Sequence, residues 1–298
     1  MDLASLRPLP GGWSGETFLA EAAGERSVVR IYARPGHRGE QAQEVDAALL
    51  RLVRGLVPVP EVLEVRRADP AAGTPALLVT SFLEGSRGDV LLPSLTERDL
   101  RRVGGRLGDL LAVLGGIPML RPGPFVDADL TIGSFGPADG LPAWVEEHPQ
   151  AAAAWSADER AGLAEVALRA QALLDTVDRV CLVHSDFNPK NLLFDEDLQV
   201  TALLDWEFAH AGHPFTDLGN LLRFDRSPGY VEAVLAAYCS RRGGTPAAAL
   251  DLARAADLWA LVDLAAAPLE GNLVRQLAHD LLRAVAGSRD LHAFPWPP

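Results

Sequence analysis

The side chains best suited to chemistry lie between His184 and Asp205, in the stretch VHSDFNPKNLLFDEDLQVTALLDWE that spans residues 183–207. His184, Ser185 and Asp186 follow a short apolar run, and Asn191 comes next in a loop stiffened by Pro189. A second apolar segment (192–194), an acidic turn (195–197) and a strand-like run (200–204) then deliver Asp205. Each polar cluster therefore sits at the end of a strand, and a hairpin can bring Asp186, Asn191 and Asp205 towards one spot. Oxygen donors of this kind suit a hard cation. Magnesium takes one or two protein carboxylates and completes its shell with phosphate oxygens and water. A carboxylate left over can orient a hydroxyl and accept its proton.

An H-x-D-x-x-x-x-N loop followed by a strand ending in Asp is the recurring arrangement for kinase-type phosphoryl transfer. The run HSDFNPKN, then LLDWE, then TDLGNLL, resembles the aminoglycoside phosphotransferase family of the protein-kinase-like superfamily. There the loop usually reads HGDxxxxN, so Ser185 stands where that family has glycine, and Lys190 also replaces a residue that is usually glycine in the resembled loop. The resemblance implies an α+β, bilobal protein-kinase-like fold: a strand-rich N-lobe at 1–83 and a mainly helical C-lobe at 84–298. It further implies Asp186 as catalytic base, Asn191 and Asp205 as magnesium ligands, and Asp217 as a brace for the loop from the next helix. His184 takes the place of the family's loop-holding histidine. Asn188 occupies a position from which it would contact the acceptor or the γ-phosphate.

The same resemblance assigns the nucleotide site, for ATP or GTP. Gly12, Ser14 and Gly15 belong to a glycine-rich bend that can bring backbone N–H groups close to phosphate. An ordinary hairpin turn is the competing reading of that bend. The following strand carries Arg30 where kinases commonly have lysine, and an Arg fork can still grip phosphate bidentately. Glu44, in a helix expected over 39–54, is the expected partner of Arg30. Thr80 to Gly85 resembles the hinge, with the Ser81 carbonyl and the Leu83 N–H on the adenine edge. Val28, Leu193 and Leu204 would wall the base, although apolar strand residues are core by default.

Stepping along the rest of the chain, apolar spacing predicts helices over 95–114, 157–178, 230–240, 246–264 and 270–285, with Thr96 and Ser156 as N-caps. Gly104, Gly105 and Gly108 weaken the first of these and suggest close packing. Residues 117–141 read as a long, loop-rich connection.

Composition narrows the partners. The chain has 298 residues, and its formal charge of −13 argues against nucleic acid, which demands clustered Lys and Arg. An acidic cleft is compatible with a cationic acceptor. Glu207, Asp225, Asp263 and Glu270 could line one, with ordinary surface charge as the simpler reading. Trp144, Trp206 and Trp259 could stack on a quaternary amine, with core packing the better assignment. Two cysteines make no disulfide framework, and neither a basic, apolar leader nor a membrane-spanning run is evident. A soluble protein of the reducing cytoplasm is expected.

The reading is a small-molecule O-phosphotransferase acting on a hydroxylated, cationic antibiotic such as an aminoglycoside, and hence a role in antibiotic resistance. A metabolite kinase of the same fold (choline, sugar or homoserine type) stays open, as does a nucleotide-binding pseudokinase, for which Arg30 is the only support. A protein kinase fits less well, because no A-P-E motif follows Asp205. Oligomeric state is open.

Overall fold

The computed structural model describes residues 5–9, 16–22, 24–33, 38–136, 139–268 and 272–296. In chain order the strands and helices begin with β1 (Ser5–Pro8), β2 (Glu16–Ala22), β3 (Glu25–Tyr32), α1 (Ala42–Val53), β4 (Val62–Arg66) and β5 (Ala76–Ser81). There follow β6 (Ser86–Arg87), α2 (Gly88–Leu91), α3 (Glu97–Leu114), β7 (Gly123–Pro124), α4 (Gly140–Glu147) and α5 (Ala157–Leu174). The remainder comprises β8 (Cys181–Val183), β9 (Leu192–Phe194), β10 (Val200–Leu203), β11 (His210–Gly212), α6 (Thr216–Leu221), α7 (Pro228–Arg242), α8 (Pro246–Ala266) and α9 (Leu273–Ser288). The fold is α+β, with a strand-rich first part and a mainly helical remainder.

Two compact units share this chain. The first takes Met1–Ser94, Gly123–Ser134 and Asn188–Ala211; the second takes Leu95–Pro122, Phe135–Phe187 and Gly212–Pro298.

In the first unit, five strands form an antiparallel sheet in the order β1-β2-β3-β5-β4. β3 is the middle strand, and its register sets Arg30 against Thr17 on β2 and Leu78 on β5. Alternation on β5 buries Ala76, Leu78 and Thr80, as a strand packed on one face requires. Helix α1 buries Val45, Leu49 and Val53 along one stripe. A smaller antiparallel sheet, β10-β9-β6, completes this unit. Its β9–β10 hairpin turns at Asp195, whose carboxylate accepts from the Gln199 N–H at 2.8 Å.

The second unit is a helical assembly around Leu163, Val166, Leu258, Val262, Leu281 and Leu282. Its helix starts are well signalled. Thr96 Oγ1 accepts from the Asp99 N–H, and Ser156 and Glu159 form a reciprocal capping box. Helix α5 stops at Leu174, earlier than its apolar pattern suggests, and α4 was not anticipated. A glycine, a proline and only eight residues leave α4 little sequence signature.

The three glycines of α3 separate cleanly. A Cβ on Gly108 would lie 2.2 Å from the Val234 carbonyl oxygen on α7, and one on Gly104 would lie 2.9 Å from that of Tyr230. Nothing lies within 4 Å of a Cβ on Gly105. Gly108→Ala should therefore cost about 1–3 kcal/mol through overpacking. Gly105→Ala should stabilise by about 0.5–1 kcal/mol through helix propensity. Urea unfolding of the two variants tests this, and equal effects would contradict the packing seen here.

Candidate active site

The expected loop begins in the second unit. β8 brings His184, fully buried, to the start of the turn. Asp217, in the first turn of α6, accepts from the His184 N–H at 2.8 Å and from the Ser185 N–H at 2.7 Å. His184 Nδ1 in turn accepts from the Asp186 N–H at 3.2 Å. This bond requires the neutral ring to carry its proton on Nε2. The His184 ring also meets Phe187 edge-on, with centroids 6.2 Å apart. His184 and Asp217 thus fix backbone, and the Asp186 side chain is left half-buried at the turn. Burial raises the pKa of Asp217 to about 7, and nearby Asp186 adds to the rise; the two N–H donors pull it the other way.

Ser185 adopts φ 67°, in the left-handed region. That explains the glycine usual at this position, since a side chain there costs roughly 1–2 kcal/mol. Asp205 has φ 63°, a conformation Asp tolerates better than most residues.

Asn188 to Asp205 belong to the first unit. Asn188 Oδ1 caps the short 3₁₀ turn Pro189–Asn191 by accepting from the Lys190 N–H at 3.2 Å. Asn191 is buried, and its carbonyl accepts from the Leu204 N–H at 2.8 Å, one residue before Asp205. The β9–β10 hairpin therefore brings the backbone of Asn191 alongside that of Leu204, one residue short of Asp205. One amide and one carboxylate are a suitable protein share for magnesium, which completes its shell with water and phosphate.

Arg30 has different partners from those expected. Its Nη1 donates to Asp205 Oδ1 at 3.2 Å, and its Nη2 is paired with Glu207. Glu44 is instead bound by Arg67, with Nε to Oε1 at 2.8 Å. The acid of α1 that reaches inwards is Asp46. It pairs with Arg38 and accepts from the Tyr32 hydroxyl at 2.7 Å, while Arg38 also donates to the carbonyls of Trp206 and Ala209. A sequence signal for Asp46 did exist: it stands four residues from both Ala42 and Leu50, on the apolar stripe of α1. Burial works against the charge on Arg30, but Tyr32, Asp205, Asp46 and Glu207 outweigh it and raise the pKa.

Glu207 is buried and paired with Arg30, so it is not the surface charge that its sequence context suggested. Asp225 and Asp263 are exposed, and Glu270 lies outside the described residues. So do Gly12, Ser14 and Gly15. Ser81 closes β5, where its Oγ accepts from the Glu61 N–H at 2.9 Å. Val28 pairs across the sheet with Leu19 and Thr80, Leu193 lies on β9, Leu204 follows β10, and Leu83 lies just beyond β5. Trp206 is buried, with its indole N–H on the Leu203 carbonyl. Trp144 donates to the Trp259 carbonyl, with ring centroids 5.5 Å apart. All three are packing residues.

No helix among the described residues is long and apolar enough to cross a membrane. Among solved structures, the chain is similar to a putative aminoglycoside phosphotransferase of Ralstonia eutropha (TM-score 0.67, 16% identity, 97% of this chain and 92% of that one). It is also similar to an aminoglycoside 2′-phosphotransferase-IIIa mutant in complex with GDP (TM-score 0.70, 18% identity, 96% and 91%). A third likeness is a macrolide 2′-phosphotransferase of Brachybacterium faecium (TM-score 0.60, 20% identity, 99% and 93%). Among curated proteins, acyl-CoA dehydrogenase family member 11 of Mus musculus is 34% identical over 93 residues, covering 25% of this chain. The rat protein is 33% identical over 93 residues, and the matched part spans only 12% of either relative's length. The family model described as the phosphotransferase enzyme family, APH, matches residues 5–258, and the chain belongs to that family.

Proposed function

We propose that this chain transfers the γ-phosphate of ATP or GTP to a hydroxyl of a small molecule, with a cationic natural product such as an aminoglycoside as the first acceptor to test. The observation that carries the reading is the arrangement around Asp186. Its backbone N–H is fixed by His184 and the N–H groups of its two predecessors are fixed by Asp217, which together set its half-buried carboxylate at the turn.

In this mechanism Asp186 orients the acceptor hydroxyl and takes its proton. The acceptor oxygen bonds to γ-phosphorus as the bond from phosphorus to the β–γ bridging oxygen breaks, and ADP or GDP leaves. Asn191 and Asp205 would hold Mg²⁺, which when bound neutralises charge on the phosphate oxygens. Arg30 offers its fork to the phosphates and gives up carboxylate contacts to do so. Positioning and fixed charge, rather than covalent chemistry, carry the rate of such transfers. Ser81 and Leu83 would serve the base edge, between Val28, Leu193 and Leu204.

A metabolite alcohol is the second reading. Over 93 residues the chain is 33–34% identical to the rodent acyl-CoA dehydrogenase family member 11 proteins, against 16–20% over nearly its whole length for the phosphotransferase structures above. A turnover screen with magnesium and ATP or GTP, across aminoglycosides, macrolides and common metabolite alcohols, decides between them. Acceptor-dependent release of ADP or GDP supports phosphotransfer. Nucleotide binding without any turnover would favour a pseudokinase instead.

A further inference from the structure

Away from the loop residues, the second unit contains a cavity of about 680 Å³ lined by the starts of α7 and α8 and by the C-terminal segment around Phe294 and Trp296. Two arginines, Arg226 and Arg254, line it. Arg254 is only 5% exposed, its Nη1 donates to the Leu222 carbonyl, and its Nε is buried with no partner. Arg226 donates to the carbonyls of Arg223, His292 and Ala293, at 3.1–3.2 Å, and lies 4.4 Å over the Phe294 ring. Carbonyls satisfy some of their N–H groups but bring no charge.

Three acids nearby, Asp257, Glu232 and Asp251, are already committed. Asp257 takes Arg223 through two Nε contacts, at 3.0 and 3.1 Å, and one Nη2 contact at 2.6 Å. Glu232, the only carboxylate among the described lining residues, accepts from Arg101. Asp251 meets His292 at 2.8 Å. Asp257 also acts on Arg226 and Arg254, so one carboxylate serves three arginines; burial outweighs it, pushing Arg226 down to about 9 with the help of Arg254, and Arg254 down to about 10. Arginine does not discharge at ordinary pH, so the deficit is one of counter-charge. The start of α7 adds to it, because Ser227 makes no side-chain cap there.

We propose that this cavity binds a small organic anion, a carboxylate or phosphate on a flat apolar body. Arg254 and Arg226 meet the anionic group, and Phe294 and Trp296 flank the body. Buried cations that must share one acid are costly, and an anion that supplies the missing charge gains short, charge-assisted hydrogen bonds, with the unpartnered Arg254 Nε as one donor. Aromatic faces at the same mouth accept a planar hydrocarbon. The proposal is independent of the phosphotransfer reading, and nucleotide is left out of its test.

Calorimetric titration of the whole chain with 1-naphthoate, 1-naphthyl phosphate and uncharged 1-naphthalenemethanol provides that test. One-to-one binding of at least one anion is expected, with the alcohol at least about tenfold weaker, and the better anion identifies the head group. Arg254→Gln and Arg226→Gln should each weaken it by about tenfold or more. Far-ultraviolet circular dichroism checks that each variant folds; if Arg254→Gln does not, the result with Arg226→Gln and Trp296→Ala decides. Equal binding of alcohol and anion, unchanged binding in the folded Arg variants, or no saturation with any probe up to about 10 mM would overturn the proposal.

Discussion

Asp186→Asn should lower turnover by about two to four orders of magnitude, the range for loss of a positioned general base. Asparagine keeps the size of the side chain but cannot take the acceptor's proton. The loop itself should persist. His184 Nδ1 binds the backbone N–H of residue 186, and Asp217 binds the N–H groups of residues 184 and 185, so none of these contacts uses the Asp186 carboxylate. Unfolding free energy should stay within about 0.5 kcal/mol of the parent, and nucleotide affinity within about twofold of it. Steady-state kinetics with a responsive acceptor, read beside a nucleotide titration, checks all three. Turnover close to the parent's would remove Asp186 from the chemistry.

Arg30→Met should reduce kcat/KM for nucleotide by about 10²–10³, as expected for losing a fixed charge from the phosphate site. It should also destabilise the fold by about 3 kcal/mol, because Asp205 and Glu207 would lose their shared cation in a largely buried place. The two losses have different cures. Adding Glu207→Gln to Arg30→Met removes the more buried of the two stranded charges and should recover much of the stability, but none of the activity. Thermal melts and nucleotide kinetics on the single and double variants separate the roles. Recovery of activity in the double variant would mean that Arg30 serves only to neutralise Glu207.

The order of acids and strands from His184 to Asp205 was legible in the sequence because it is local. Apolar runs fix the short strands, and the acidic turn fixes the hairpin. Caps at Thr96 and Ser156 were legible for the same reason. The partner of Arg30 was not. Glu44 lies 14 residues away and matches a known pattern, whereas Asp205 and Glu207 lie 175 and 177 residues away. Only the packed arrangement can choose among acids at such separations. Ser185 shows the other kind of gap. Its identity was visible, but the left-handed backbone that makes it unusual is a property of the folded loop. The arginine-lined cavity draws on residues from 226 to 296, and no spacing rule connects them.

The first unit has a consequence for how the chain is made. Its edge strand β6 pairs with β9, Pro58 receives a hydrogen bond from Leu203, and Arg30 finds its acids only near residue 205. During synthesis on the ribosome, the amino-terminal sheet must therefore wait until about 210 residues have emerged before its last contacts can close. That delay favours slow maturation and exposes an unfinished edge to neighbouring chains. A fragment ending at Ser94 should accordingly be prone to aggregate, however regular its five strands look on paper.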